Sequence, residues 1–189
     1  NAQKQCRGEE PMEHIEQMAN YKTSPEGILF NIQLDRPTKK YNRKVGTYHV
    51  GLRLSDMQTA QPMIDELINE QKSYTDINNL RNDIQLSLPY FDTTKMGFMN
   101  HGIEFSPFRM NSCGWSGKLN NVYLNIPKIF NAEGKELDHS RMKEFRDKEI
   151  FGRLFYGVEG YNNQEGVGVI LRLRGVQINY ETPHNQIAV

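Results

Sequence analysis

The chain reads as a mainly β protein: an elaborated Greek-key barrel of five to six strands with one main α-helix. Three observations give that class. Apolar residues recur at every second position in several separate segments, which is the strand period. Only one segment, around residues 63–68, carries an apolar stripe at helical spacing. The chain also closes on two long alternating segments joined by an Asn/Gly-rich turn, residues 149–180, EIFGRLFYGVEGYNNQEGVGVILRLRGVQINY. Early strands, an inserted helix and a final hairpin fit a closed barrel better than a sandwich.

Each element follows from its own residues. Residues 1–24 are polar and read as a leader with a helical turn or two around 12–18. Residues 27–35 alternate, with Ile28, Phe30, Ile32 and Leu34 on one face, and a basic loop, 36–44, follows. Residues 45–54 make a second strand, with Tyr48, Val50, Leu52 and Leu54 inward and His49 and Arg53 outward. Ser55, Asp56 and Thr59 offer helix caps, and Pro62 suits a first turn. Met63, Ile64, Leu67 and Ile68 then form the stripe of a helix expected to end near residue 72. Beyond it come a short helix near Asn78 and a third strand over 99–110 interrupted by Pro107. A glycine-rich turn over 112–117 and a fourth strand over 119–129 lead to a tight turn at 131–134. Residues 137–148 are weakly helical, with Met142 and Phe145 as apolar contacts, and the hairpin completes a single domain spanning 25–182. Residues 183–189 are a polar tail.

At 189 residues the chain has room for one real core and is short for two. No run approaches the ~20 apolar residues of a membrane-spanning helix. The two cysteines, Cys6 and Cys113, can pair once; the polar surroundings of Cys6 favour free thiols in a reducing compartment. Net charge is zero, from 23 basic and 23 acidic residues, but the charges are segregated. Arg36, Lys39, Lys40, Arg43 and Lys44 share one loop without an acid among them, while Asp56, Asp65, Glu66, Glu70, Asp76 and Asp83 gather in and around the helix. Such a distribution creates a local attractive field for an anion on a neutral protein.

The closing hairpin has two unlike faces. Leu154, Tyr156 and Val158 in its first strand, and Val167, Val169, Leu171 and Leu173 in its second, make an apolar back. Arg153, Phe155, Gly157, Glu159 and Tyr161, with Arg172 and Arg174, make a front of arginines and rings. Guanidinium groups suit the phosphates of a flexible polyanion and rings suit its bases.

The order of this hairpin is an Arg-containing aromatic strand, Tyr161-Asn162-Asn163, Gly166-Val167, Leu171 and Val176-Gln177. It resembles the C-terminal end of the tailed-phage single-stranded DNA-binding proteins, which have an OB fold. Asn125-Ile-Pro-Lys-Ile-Phe followed by Asn131-Ala-Glu-Gly-Lys is similar to the strand and turn preceding that hairpin in the family. Gly46-Thr-Tyr-His-Val-Gly-Leu-Arg-Leu, followed by a helix, is similar to its early strand. The resemblance implies sequence-independent binding of single-stranded DNA in phage-type replication or recombination. It also implies replication or recombination proteins as partners and the interior of the bacterial host as location. Members of that family often end in an acidic tail, whereas residues 183–189 carry no acid, so tail-mediated recruitment of partners is not expected of them.

On this reading Arg36, Lys39, Lys40, Arg43, Lys44, Arg53, Arg153, Arg172 and Arg174 neutralise phosphates, and Tyr41, Trp115, Tyr123, Phe155 and Tyr161 stack bases. The basic loop lies between the first two strands, where OB folds grip oligonucleotides; taken alone, it is equally a solvated lysine-rich turn. Any single outer ring is as well explained by packing as by stacking, and the grouping of several with arginines is what favours stacking. The scattered histidines His14, His49, His101, His139 and His184 show no metal-type pairing. Residues 166–168 lack the third glycine of a dinucleotide fingerprint, and residues 114–117 miss the nucleophile-elbow pattern. The spacing of Asp35, Glu104 and Glu159 favours no metal-dependent nuclease. No enzymatic activity and no cofactor are therefore expected. The competing class is a β-rich structural or protein-interaction module, a virion component or a trimmed secreted domain, whose outer rings would form a protein interface.

Overall fold

The computed structural model describes residues 15–80, 86–93, 102–116, 121–164 and 166–179. In chain order these form a 3-10 turn at Ile15–Asn20, β1 (Lys22–Thr23), β2 (Gly27–Thr38), β3 (Thr47–Leu54), α1 (Met57–Ile77), β4 (Leu86–Ser87) and β5 (Tyr90–Asp92). There follow β6 (Ile103–Asn111), β7 (Cys113–Ser116), β8 (Asn121–Leu124), β9 (Lys128–Phe130), a 3-10 turn at His139–Phe145, β10 (Ile150–Asn163) and β11 (Gly166–Ile178).

Five strands close a ring. β2 pairs with β3, β3 with β6, β6 with β11, β11 with β10, and β10 returns to β2. Every contact in the ring is antiparallel except β6–β11, a short parallel seam with Phe108 opposite Leu171 and Arg109 opposite Arg172. Closure leaves the principal strands without a free edge. The elaborated barrel expected from the residue pattern is the architecture observed, with the long hairpin β10–β11 paired from Gly152 opposite Ile178 to Asn163 opposite Gly166 and its register shifted once, between Phe155 and Tyr156. Its core is aliphatic and aromatic, with Leu29, Leu52, Phe105, Phe108, Leu154 and Leu171 fully buried.

In β2 the expected strict alternation breaks. Asn31 has a positive φ of 50°, and the pairing to β3 shifts between Phe30 and Gln33. That bulge changes the phase of the strand, so Leu29 before it and Ile32 and Leu34 after it share the core, while Ile28 and Phe30 face outward. The ring of Phe30 fills the space over Gly51, where a Cβ would sit 2.4 Å from Phe30 Cζ.

The helix is longer than its apolar stripe. Asp56 caps it, its Oδ1 accepting from the Thr59 N–H at 2.7 Å, and Pro62 falls inside the helix rather than in its first turn. Beyond the stripe the buried face continues through Gln71 and Thr75, polar residues that hide the period from a hydrophobicity reading. α1 packs on the inner face of β10. The Tyr74 ring lies against Gly160, where a Cβ would meet it at 2.2 Å, and Tyr156 Oη donates to Glu66 Oε2 at 3.4 Å.

Three further expectations change. Of the turn expected over 112–117, Cys113–Ser116 is instead a strand that pairs with Asn121–Leu124 as a separate two-stranded arm, and Gly117 lies outside the described residues. The expected fourth strand is divided, and after Pro127 the short β9 pairs in parallel with β11. Residues 15–24, read as part of a leader, are built into the fold: Lys22 and Thr23 pair with Tyr156 and Phe155, and Ser24 is buried. The weakly helical stretch is a 3-10 turn capped by Asp138, with Met142 and Phe145 buried as expected.

Candidate functional site

The loop between β2 and β3 is held in shape by Asn42, whose side-chain oxygen accepts from the N–H groups of Lys44 (2.9 Å) and Val45 (3.2 Å). Arg36, Lys39, Lys40, Arg43 and Lys44 are all exposed. Among the described residues none of them has an ion-pair partner. Tyr41 points back to the barrel, its ring edge-on to His49 at 4.9 Å between centroids, with Lys40 Nζ 5.3 Å from the ring centre.

Behind the loop a lateral row of side chains crosses the barrel wall. His49 of β3 is the register partner of Arg109 of β6, Arg109 is the partner of Arg172 of β11, and Arg172 faces Gly157 of β10. Two hollows meet at Arg109. One, of about 310 Å³, is lined by Tyr41, Pro89, Pro107, Arg109, Tyr161, Asn163 and residues 169–171. The other, of about 150 Å³, is bordered by Arg109, Asn111, Cys113, Asn125, Arg172 and Arg174 among others. Together they form a groove along the parallel seam, with the basic loop at one side and the β7–β8 arm at the end of β6.

Arg109 is half-buried at the centre. Burial and the neighbouring Arg172 both lower its basicity, and its Nη1 reaches only the Tyr41 carbonyl, at 3.5 Å. Among the described residues it has no ion-pair partner. His49, expected outward, lies on the outer face but is buried beneath Tyr41. Burial first, and Lys40 second, push its ring below the ordinary histidine value, and Nδ1–H donates to the Asn31 carbonyl at 3.1 Å. A neutral histidine under a tyrosine is a support for the groove wall, whereas a half-buried unpaired guanidinium is suited to an incoming anion.

The remaining sequence-predicted positions divide. Tyr161, Arg172 and Arg174 line the groove; Arg172 Nε donates to the exposed Glu159 at 2.8 Å, and Arg174 is exposed. Phe155 does not belong there. It is 5 % exposed, covered by Met18 and Phe130, whose ring centroid is 6.3 Å away, because the 15–20 turn folds over that end of the hairpin. Arg53 is likewise withdrawn: Nε pairs with Glu104 at 3.0 Å and Nη1 with Glu149 at 3.2 Å, under cover of the Phe30 ring. Arg153 sits at the same covered end as Phe155 and pairs with Glu26 at 2.6 Å. The side chains of Trp115 and Tyr123 lie outside the described residues; their backbones pair within the arm. Asp35, Glu104 and Glu159 are far from forming a cluster, each being held by a different arginine.

Sequence reading missed Arg109 altogether. Its neighbour Phe108 is fully buried, so the strand period places Arg109 outward; Pro107, at a bulge opposite Gly51, broke the count.

No protein-family model matches the sequence, and no curated protein does. Solved structures do match the fold. The crystal structure of a single-stranded DNA-binding protein encoded by bacteriophage T7 is similar with a TM-score of 0.67 and 17% identity, over 85% of this chain and 91% of that one. The C-terminally truncated single-stranded DNA-binding protein from bacteriophage Enc34 is similar with a TM-score of 0.59 and 17% identity, over 85% and 86%. The Enc34 protein in complex with single-stranded DNA gives a TM-score of 0.56 at 15% identity, over 85% and 86%. The chain thus has the fold of these phage single-stranded DNA-binding proteins.

Proposed function

We propose that this chain binds single-stranded DNA without sequence preference, as a non-catalytic protein of phage-type DNA replication or recombination acting inside the bacterial host. The observation that carries this reading is the groove centred on Arg109, with a tyrosine on either side and an unpaired basic loop beside it. The loop between the first two strands and the outer face of the second and third are where OB barrels bind oligonucleotides. Tyr41, His49 and Arg109 belong to those elements here, and Tyr161 of the closing hairpin lines the same hollow as Tyr41 and Arg109. Phosphates go to the loop cations, Arg109, Arg172 and Arg174, while Tyr41 and Tyr161 stack bases; no cofactor takes part. The similarity to phage proteins described as single-stranded DNA-binding supports the same assignment. Replication or recombination proteins are the expected partners.

Fluorescence of Trp115 and the tyrosines, titrated with oligothymidylate at several salt concentrations, tests the reading. Four to six phosphate contacts give a slope of log K against log salt of about −3 to −4. Replacing Lys39, Lys40, Arg43 and Lys44 with alanine removes much of that slope and leaves the thermal midpoint almost unchanged, because exposed loop cations pack little. Saturable quenching with this salt dependence supports the proposal. Absence of quenching overturns it in favour of a protein-interaction module, and a flat salt response removes the loop from the site.

A further inference from the structure

We propose that Tyr21 and Arg174 form an outlying nucleotide subsite, beyond the groove, where the single strand continues toward the N-terminal turn. This inference rests on single-stranded DNA being the ligand of the groove.

Arg174 belongs to both places. It borders the smaller hollow together with Arg109 and Arg172, and its guanidinium carbon lies 5.6 Å from the ring centre of Tyr21. Its direction comes from the irregularity of the hairpin. Leu173 pairs with Tyr156 and Gly175 with Phe155, so Arg174 is the extra residue of a bulge, and a bulge re-aims the side chain it carries. Between Arg172 and Tyr21 the wall is bare backbone: a Cβ added at Gly157 would meet nothing nearer than Arg174 Nε at 4.0 Å.

Tyr21 is placed rather than loose. Its N–H donates to the Met18 carbonyl at 3.0 Å, in the turn whose Met18 is buried against Phe155 and Phe130. The next residue, Lys22, turns to the helix side and pairs with Glu66 and Glu70, so those helix carboxylates are engaged on the opposite side of β10. What remains outward is a ring 41% exposed, with a guanidinium beside it. Among the described residues the Tyr21 hydroxyl has no hydrogen-bond partner. A ring and a cation side by side on the open wall, continuous with a basic groove, suit one further nucleotide: the base against Tyr21, the phosphate on Arg174.

The test is a length ladder. Oligothymidylates of about 4 to 16 nucleotides, the span of OB-fold site sizes, are titrated against the unaltered chain, Tyr21→Ala and Tyr21→Phe. Affinity of the unaltered chain is expected to rise with length until the strand reaches Tyr21. Tyr21→Ala should match it on the shortest oligomers and fall behind by roughly five- to a hundred-fold on the longest, the stacking loss of one base. Tyr21→Phe should restore the long-oligomer affinity. In a Trp115→Phe background, Tyr21→Trp should report quenching only by the longer oligomers. Equal affinity of Tyr21→Ala and the unaltered chain at every length overturns the subsite, and so does a loss of equal size at every length. Failure of the unaltered chain to bind any oligomer would instead overturn the function on which the inference rests.

Discussion

Arg109 and Arg172 stand opposite one another across the parallel seam of the barrel, two like charges in register with, among the described residues, one carboxylate, Glu159, bonded to the pair. In an unliganded protein that arrangement is a cost: burial and mutual repulsion lower the basicity of Arg109. A phosphate bridging the two guanidinium groups would offset it.

Arg109→Ala should therefore separate binding from stability. It is expected to reduce the salt slope of single-stranded DNA binding by about 0.7, one phosphate contact. The melting temperature should hold or rise, because a repulsion is removed. Arg109→Lys should recover the slope but not the full affinity, since the ammonium lacks the planar fork. Anisotropy titrations over a salt series and thermal melts read both quantities; an unchanged slope in Arg109→Ala would remove this residue from the site.

Phe155 and Tyr161 lie on the same face of β10, six residues apart, and should behave as opposites. Phe155→Ala empties a packed cluster and should cost ~3–5 kcal/mol of stability with DNA affinity unchanged in the folded fraction. Tyr161→Ala should cost ~1–3 kcal/mol of affinity, alike for oligothymidylate and mixed sequence, and leave denaturation within about 0.5 kcal/mol. Tyr156→Ala, buried in the main core, should group with Phe155. Denaturant titration and binding measured on the same three variants decide it.

Arg53→Ala leaves Glu104 and Glu149 without their shared cation. Because the pair is largely but not wholly buried, the expected loss is about 2–3 kcal/mol, under the cost of breaking a fully buried pair. Binding should not change. A loss of affinity at constant stability would return Arg53 to the interface.

His49 gives stability a pH dependence. Its folded value is depressed by burial and by Lys40, whereas in the unfolded chain it titrates near its ordinary value. Below about pH 6.5 the unfolded chain takes up the proton first, so unfolding is favoured as pH falls, with a slope of at most about 1.4 kcal/mol per pH unit. Asp35, held low by Arg146, adds its own loss only in the carboxylate range below that. His49→Gln should flatten the fall in urea midpoint between about pH 6.5 and 5; an equal fall in the variant would assign the effect elsewhere.

The two-residue period of the last hairpin, the apolar stripe at Met63, Ile64 and Leu67, and the basic run from Arg36 to Lys44 are local patterns, so the barrel class, the helix and the exposed loop were legible in the chain. Local pattern also placed Tyr156 inward and Tyr161 outward. What it could not carry was coverage. Phe155 and Tyr161 have the same parity, and only the packing of Met18 and Phe130 buries one and leaves the other at the groove. Arg53 and Arg109 both point outward from adjacent strands, yet Glu104 and Glu149, distant in sequence, neutralise the first and not the second. The bulges at Asn31 and at Arg174 changed which residues share a face, since one extra residue shifts a period of two by half. Periodicity decides which way a side chain leaves its strand; only contacts made across the whole chain decide what waits there to meet it.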